Sequence, residues 1–114
     1  MITVEKETAI VNDYVKLLRL RYGDLFDVEY QVDESCLRVL VPHLILQPLV
    51  ENAIHHGAMN REDGVGRVVV RIRREEKNTV IDIIDNGPGI DYRIIRSLYG
   101  GEEVKHRGIG LMNV

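Results

Sequence analysis

Residues 67–85, RVVVRIRREEKNTVIDIID, contain two apolar runs separated by a short polar stretch. The runs, Arg67 to Glu75 and Thr79 to Asp85, are rich in β-branched residues, which favour strands. The residues between them, Glu76 to Asn78, suit a tight turn, so the segment predicts a β-hairpin. The second run is apolar nearly throughout, as in a central strand that is covered on both faces. A sheet that contains this hairpin is therefore expected.

The chain changes character after Asp85, where glycine becomes frequent. Asp85 is followed by Asn-Gly-Pro-Gly-Ile at residues 86–90, and Gly-Ile-Gly-Leu occupies residues 108–111. Glycine at this density indicates backbone that adopts positive φ or passes close to another group. A carboxylate that ends a buried strand can accept a hydrogen bond from an exocyclic amine. A Gly-x-Gly that opens a helix presents free N–H groups to phosphate.

Upstream of the hairpin, residues 42–57 predict a helix. Pro42 suits its first turn and Gly57 its end, whereas Pro48 predicts a kink. Within this helix, Asn52 carries an amide oxygen of the kind that binds Mg²⁺. That ion is usually held by few protein ligands together with phosphates and water.

The first 32 residues predict a helix followed by a strand. Apolar residues recur at helical spacing over residues 3–22, with Thr3 as the N-cap and Gly23 as the stop. Residues 26–32 alternate between apolar and polar, as expected for a half-buried strand. The spacing in the helix also resembles that of a coiled coil, although simple packing on the sheet is the favoured explanation.

Composition indicates one globular domain of 114 residues. Fifteen Lys and Arg against eighteen Asp and Glu give a net charge of −3, and 45% of the residues are hydrophobic. These values exclude a disordered tail and a strongly basic nucleic-acid binder. The arginines of residues 67–74 adjoin two glutamates, which favours a solvated strand face. The single Cys36 cannot form an internal disulfide, which favours a reducing compartment.

The sequence predicts neither a membrane span nor a signal peptide. The apolar stretch at residues 39–50 is interrupted by two prolines, a histidine and a glutamine. It is also much shorter than the ~20 apolar residues that a spanning helix needs. Charged residues at positions 5–7 occupy the place where the apolar part of a signal peptide would begin.

Each glycine or asparagine cluster is ambiguous by itself. Asp-x-Gly-x-Gly also describes a tight turn after a strand, and Asn52 could be a solvated helix position. Gly108-x-Gly110 is not the dinucleotide-binding fingerprint, because it does not follow a strand in a βαβ unit. Taken together and in this order, however, the clusters describe a site for a purine nucleotide and its metal.

The clusters at residues 47–57, 85–90 and 107–111 resemble the N, G1 and G2 boxes of sensor histidine kinases. These kinases belong to the superfamily of gyrase, Hsp90, histidine kinases and MutL. Further motifs resemble the LytS/YesM-like branch: Tyr14-Val15, Arg19-Leu20-Arg21-Tyr22, Val41-Pro42, Leu46-Gln47-Pro48-Leu49-Val50-Glu51-Asn52-Ala53-Ile54 and Gly108-Ile109-Gly110-Leu111-Met112-Asn113-Val114.

The resemblance implies an α/β (α+β) two-layer sandwich with a mixed, mainly antiparallel sheet and helices on one face. This Bergerat ATP-binding fold would be C-terminally truncated here, because relatives continue through further strands. Within a single domain, 1–114, it assigns a leading helix (1–22), an N-box helix (42–57), a G1 box (85–90), an ATP lid (91–107) and a G2 box (108–114).

The resemblance also implies a role for each matching residue. Asn52 would ligate a Mg²⁺ that bridges the ATP phosphates, with His55 near those phosphates and His56 near the base or ribose. Asp85 would accept the adenine amino group and so select adenine over guanine. The other nucleotide-binding residues that it implies are Gly87, Gly89, Ile90, Arg107, Gly108, Gly110 and Leu111.

Three positions bear on catalysis. Gyrase-like ATPases carry a water-activating Glu where this chain has Pro48, so hydrolysis by that route is not expected. Glu51 is the candidate catalytic carboxylate, although a solvated helix carboxylate is the simpler interpretation. His43 superficially imitates the phosphoacceptor motif of relatives. A surface histidine is favoured there, because the segment leads directly into the metal-binding helix.

The implied function is that of the ATP-binding catalytic domain of a two-component sensor histidine kinase. It would bind ATP and Mg²⁺ and donate the γ-phosphate to a His on an upstream dimerisation domain that is absent from this chain. A response regulator would then take the phosphoryl group. The parent protein would be a homodimer anchored in the bacterial membrane, with this domain in the cytoplasm. Neither nucleic acid nor membrane would contact the domain itself.

Two alternatives from other classes remain open. One is an ATP-binding regulator of the same superfamily, similar to the anti-sigma-factor Ser/Thr kinases. The other is a degenerate module that keeps the fold for partner contacts without binding nucleotide. In the kinase interpretation residues 1–22 could continue the dimerisation helices, and the isolated chain would bind nucleotide without autophosphorylating.

Overall fold

The computed structural model describes residues 1–60, 64–87, 91–97 and 102–107, of which Asn60 and residues 102–107 are described as backbone only. The elements in chain order are β1 (Ile2–Thr3), α1 (Val4–Tyr22), β2 (Phe26–Val32), β3 (Leu40–Val41), α2 (Leu46–Asn52), β4 (Gly66–Glu75), β5 (Asn78–Asp85), β6 (Asp91–Ser97) and β7 (Glu102–Arg107). Helix α2 continues into a π-helical turn at Ala53–Gly57. Single 3₁₀ turns occur at Gly23–Leu25, Glu34–Cys36 and Ala58–Asn60.

Five of the strands form one sheet in the order β2-β4-β5-β6-β7. Strand β2 is parallel to β4, with Phe26 opposite Gly66, and the other neighbouring pairs are antiparallel. Strands β1 and β3 form a separate antiparallel pair. The predicted hairpin is confirmed as β4 and β5, which places β5 at the centre of the sheet.

Both helices pack on one face of this sheet and share a single apolar core with it. Helix α1 contributes Val4, Val11 and Val15, each at most 2% exposed. The sheet contributes the buried residues Val68, Val70, Ile72, Ile81, Ile83 and Ile94. The expected two-layer arrangement, with a mixed sheet and helices on one face, is therefore confirmed.

Helix α1 has the boundaries that its sequence predicts. The Thr3 side chain accepts a hydrogen bond from the Lys6 N–H at 3.2 Å and caps the start. Gly23 ends the helix with φ +60°, and its N–H donates to the Arg19 carbonyl. Within the described ranges, no helix combines the length and the apolar character that crossing a membrane requires.

The predicted helix at residues 42–57 begins later than its sequence suggests, at Leu46. Leu44 just before it has φ +63°, which is not a helical conformation. Pro48 therefore lies in the first turn, where the N–H that proline lacks would have no partner within the helix, and the prediction of a kink there was wrong. Gly57 is the last residue of the π-helical turn, but it does not stop the helical backbone, which continues as a 3₁₀ turn from Ala58.

Residues 91–107 also differ from their predicted conformation, a lid loop. Their described parts form the antiparallel strands β6 and β7. Tyr92 and Ile94 are buried and alternate with more exposed residues, and Ile94 lies opposite Ile81 on β5. This alternation is the period-two pattern of a strand with one face on the core. A role for the segment as a lid stays a prediction.

On the sheet face away from the core cluster, β5 is covered by an ion-pair network. Asp82, which is 2% exposed, accepts hydrogen bonds from Arg73 Nη1 at 2.8 Å and from Arg93 Nε at 2.6 Å. Burial by itself would raise the pKa of Asp82. The hydrogen bonds from Arg93 and Arg73 outweigh burial and hold that pKa below its ordinary value.

Candidate functional site

Helix α2 and the π-helical turn after it together form one helical segment, residues 46–57, which contains Asn52. This helical segment meets the end of β5 at two glycines, Gly57 and Gly87. A Cβ atom on Gly57 would overlap the carboxylate of Asp85, and one on Gly87 would overlap the carbonyl oxygen of Gly57. Only glycine permits both approaches, because each depends on the missing side chain. The first two sequence clusters are therefore in direct contact, although Gly57 and Asp85 are far apart along the chain.

The Asp85 carboxylate is fixed by a local turn at the end of β5. Its Oδ1 accepts a hydrogen bond from the Gly87 N–H at 2.8 Å, and the Asp85 N–H donates to Asp91 Oδ1 at 3.3 Å. Asn86 joins this turn to β4, because its Oδ1 accepts a hydrogen bond from the Arg67 N–H at 2.7 Å. Asp85 thus presents a partly buried carboxylate in a set orientation at the carboxyl end of the central strand β5.

The side chains of the helical segment divide between solvent and α1. Asn52 and His56 are exposed. The His55 ring instead lies edge-on to the Tyr22 ring, with the centroids 6.2 Å apart. Asn52 and His56 are therefore the helical candidates that solvent reaches most freely, whereas His55 packs between the two helices.

Glu51 is also directed towards α1, where it accepts a hydrogen bond from the Tyr14 hydroxyl. Desolvation, together with the charge of Glu51 and this hydrogen bond, raises the pKa of Tyr14 to about 12. This contact gives Glu51 a structural function in joining the helices. Its catalytic role stays a prediction.

Several of the implied site residues lie outside the described residues: Gly89, Ile90, Gly108, Gly110 and Leu111. Arg107 ends β7, and only its backbone is described. Among the side chains that the structure does describe, no group of three or more His, Cys, Asp or Glu could hold a metal ion.

Sequence reasoning missed the contacts that α1 makes with this site. The sequence gives Tyr14 and Tyr22 only as parts of motifs that resemble the family, whereas in the structure each contacts a residue adjacent to the exposed Asn52 or His56. The available signal was their spacing of about two helical turns, which places both on one face. Gly57 was interpreted as a helix end, whereas its function is to let Asp85 approach.

Comparisons with known proteins assign the chain to a family. The family described as histidine kinase-, DNA gyrase B- and HSP90-like ATPases matches residues 39–114. Sensor protein LytS of Staphylococcus saprophyticus is 40% identical over 91 residues, which are 80% of this chain and 15% of that protein. Sensor histidine kinase YpdA of Escherichia coli is 35% identical over 113 residues, which are 99% of this chain and 20% of that protein.

Sensor histidine kinase YesM of Bacillus subtilis is 32% identical over 114 residues, which are 100% of this chain and 18% of that protein. The chain thus spans at most a fifth of the length of these three relatives. The similarity includes the helical segment of Asn52 and the end of β5, where the two glycines bring the clusters together. On this evidence the chain belongs to the family of histidine kinase-, DNA gyrase B- and HSP90-like ATPases.

Proposed function

We propose that this chain is the ATP-binding catalytic domain of a sensor histidine kinase. The observation that carries the proposal is the contact of Asp85 with Gly57, which joins the end of β5 to the helical segment of Asn52. Membership of an ATPase family and the names of the relatives support it. The partners proposed for the whole protein are an upstream dimerisation domain with the acceptor His and a response regulator. That protein would be a homodimer anchored in the membrane.

Asp85 is the proposed determinant of adenine. An ionised carboxylate only accepts hydrogen bonds, so it pairs with the exocyclic amino group of adenine. Guanine presents a carbonyl oxygen at the corresponding position, which would face the carboxylate without a proton between them. The hydrogen bond from the Gly87 N–H occupies Oδ1 and orients the carboxyl group for this selection.

Asn52 is the proposed protein ligand of Mg²⁺. Its exposed side chain ends in a hard oxygen donor, which suits an ion that keeps phosphate and water ligands. Bound there, Mg²⁺ would neutralise charge on the phosphates. His56 is exposed as well and is proposed to contact the base or ribose. Gly108 and Gly110 are proposed to donate N–H groups to the phosphates, with residues 91–107 as the lid.

The proposed reaction transfers the γ-phosphoryl group of ATP to a ring nitrogen of the acceptor His. A phosphorus–nitrogen bond forms while the bond between phosphorus and the bridging oxygen breaks, and ADP leaves. The domain contributes mainly orientation and charge neutralisation. Pro48 cannot activate water, and Glu51 is engaged with Tyr14. Both features suit a protein that keeps the phosphoryl group for another acceptor.

Calorimetric and thermal-shift titrations with a non-hydrolysable ATP analogue and Mg²⁺ test the nucleotide site. At a ligand concentration a hundredfold above Kd, binding should stabilise the fold by about 2.7 kcal/mol and raise Tm by roughly 10 to 20 °C. Asp85→Asn should lose the preference for the adenine analogue over a guanine analogue. Asp27→Asn, at an exposed position on β2, should keep that preference. If the unmodified chain shows no adenine-selective stabilisation, a partner-binding module becomes the better interpretation.

Incubation of the isolated chain with γ-labelled ATP tests the direction of transfer. The chain should remain unlabelled, because the proposed acceptor His belongs to another domain. Label on the chain that disappears in His43→Gln would contradict this assignment and identify His43 as an acceptor.

A further inference from the structure

Helix α1 carries one carboxylate into the interior of the protein. Glu7 is 0% exposed and lies on the same buried stripe as Val4, Val11 and Val15. Burial of a carboxylate is costly unless hydrogen-bond donors satisfy both of its oxygens. The donors around Glu7 therefore indicate why a charged residue occupies a core position.

Both carboxylate oxygens accept hydrogen bonds from backbone N–H groups at the start of α2. The Leu44 N–H donates to Oε1 at 3.1 Å, and the Leu46 N–H donates to Oε2 at 3.0 Å. Ile45 at the N-cap position of α2 has no side chain that could accept such bonds. Glu7 therefore acts as the cap of α2 from a different helix, and its negative charge lies at the positive end of the helix dipole.

The turn that Glu7 holds is a strained one. Leu44 adopts φ +63°, which leucine rarely does because its Cβ crowds the following carbonyl. A bidentate acceptor at this turn fixes the direction in which α2 leaves it. The start of α2 is thus determined by a residue that is 37 positions away from Leu44 in the sequence.

Further contacts continue along the same two helices. Tyr14 donates to Glu51, the residue next to Asn52, and Tyr22 lies against His55 one turn later. Helix α1 therefore holds the helical segment at its start and on both sides of Asn52. At its far end the segment rests on Asp85 through Gly57.

We propose that Glu7 is a positioning residue for the nucleotide site, since by capping α2 it sets where Asn52 lies relative to Asp85. The inference rests on the proposed function and adds a residue from outside the matched range 39–114. Glu7 does not contact the nucleotide; it acts through the backbone of Leu44 and Leu46.

Isothermal titration with Mg²⁺ and the non-hydrolysable ATP analogue tests this role in the unmodified chain, Glu7→Gln, Glu7→Ala and Val11→Ala. All measurements are made at a temperature where every protein used is fully folded. Glu7→Gln keeps the side-chain volume and one acceptor oxygen but loses the charge, so its affinity should fall about tenfold. Glu7→Ala, if it folds, should lose more affinity for the analogue than Glu7→Gln does.

Val11→Ala is the matched control, because it removes buried atoms from the same stripe of α1 without touching the cap. It should lower Tm and leave the nucleotide affinity unchanged. In Glu7→Gln, the amide proton resonances of Leu44 and Leu46 should also move upfield, as the charge-assisted hydrogen bonds are lost.

The outcomes separate the two proposals. If the unmodified chain binds and Glu7→Gln binds equally well, the positioning role is overturned and the proposed function stands. An equal loss of affinity in Val11→Ala would likewise reduce Glu7 to a contributor to stability. If the unmodified chain does not bind the analogue at all, the proposed function fails, and this inference fails with it.

Discussion

Tyr30 on β2 places a hydroxyl group in the interior with no hydrogen-bond partner among the described residues. Burial raises the pKa of this hydroxyl to about 12, an effect that the nearby charge of Arg19 only partly opposes. An unsatisfied buried polar group costs about 1–3 kcal/mol. We therefore expect Tyr30→Phe to increase the free energy of unfolding by about 1 kcal/mol, measured by urea denaturation at pH 7.

The same side chain makes stability depend on alkaline pH. The Tyr30 hydroxyl ionises near pH 10 in the unfolded chain and near 12 in the folded one, so the unfolded state loses its proton first. The free energy of unfolding should therefore fall as pH rises from 10 to 12. Tyr30→Phe should show a shallower fall, with Tyr14 still contributing in the same direction. Equal slopes in the two proteins would show that Tyr30 is not responsible.

At the scale of an element, two aspartates of the sheet, Asp82 and Asp27, form ion pairs that differ in burial. Asp82 on β5 is 2% exposed between Arg73 and Arg93, whereas the side chains of Arg19 and Asp27 are 36% and 54% exposed. Asp82→Asn leaves the two arginines facing each other without the carboxylate. It should lower the free energy of unfolding by about 2 kcal/mol.

Asp27→Asn is the matched control and should cost less than about 1 kcal/mol, because an exposed ion pair contributes little. Since the Asp82 pKa is depressed, its contribution is present above about pH 4 and is lost as pH falls through the depressed value. The difference in free energy of unfolding between Asp82→Asn and the unmodified chain should therefore become smaller at acidic pH. If Asp82→Asn and Asp27→Asn lower the free energy of unfolding by similar amounts at pH 7, the buried ion pairs of Asp82 do not contribute more to stability than the exposed one.

Elements defined by local patterns could be predicted from the sequence, and those defined by distant contacts could not. Thr3 and Gly23 mark the ends of α1, and the β4–β5 hairpin follows from its two β-branched runs and the short turn between them. The start of α2 depends on Glu7, which no local signal connects to Leu46. For the same reason, the side of α2 that faces α1, and hence the orientation of Glu51 and His55, could not be predicted.

At the scale of the whole molecule, the matched family segment is smaller than the folded unit. The match covers residues 39–114, yet Val4, Val11, Val15 and Phe26 before it are at most 2% exposed in the shared core. A chain shortened to residues 39–114 would expose the core that these side chains cover. We expect it to lack a cooperative thermal transition, with poorly dispersed amide resonances, whereas residues 1–114 should show both features of a folded domain. A sharp transition in the shortened chain would show that α1 and β2 are dispensable.

The parallel pairing of β2 with β4 has a consequence for the order of folding. The hairpin strands β4 and β5 are joined by a short turn, but Phe26 pairs with Gly66 only after the chain closes a loop of 40 residues that contains α2. Loop closure costs entropy before the contacts repay it, so the hairpin should form early and β2 should dock late. Pulse-labelling hydrogen exchange should then find β5 amides protected before those of β2. Helix α2, which lies within that loop, would acquire its place among the last events. A nascent chain would then become able to bind the proposed nucleotide only after β2 has docked on the sheet.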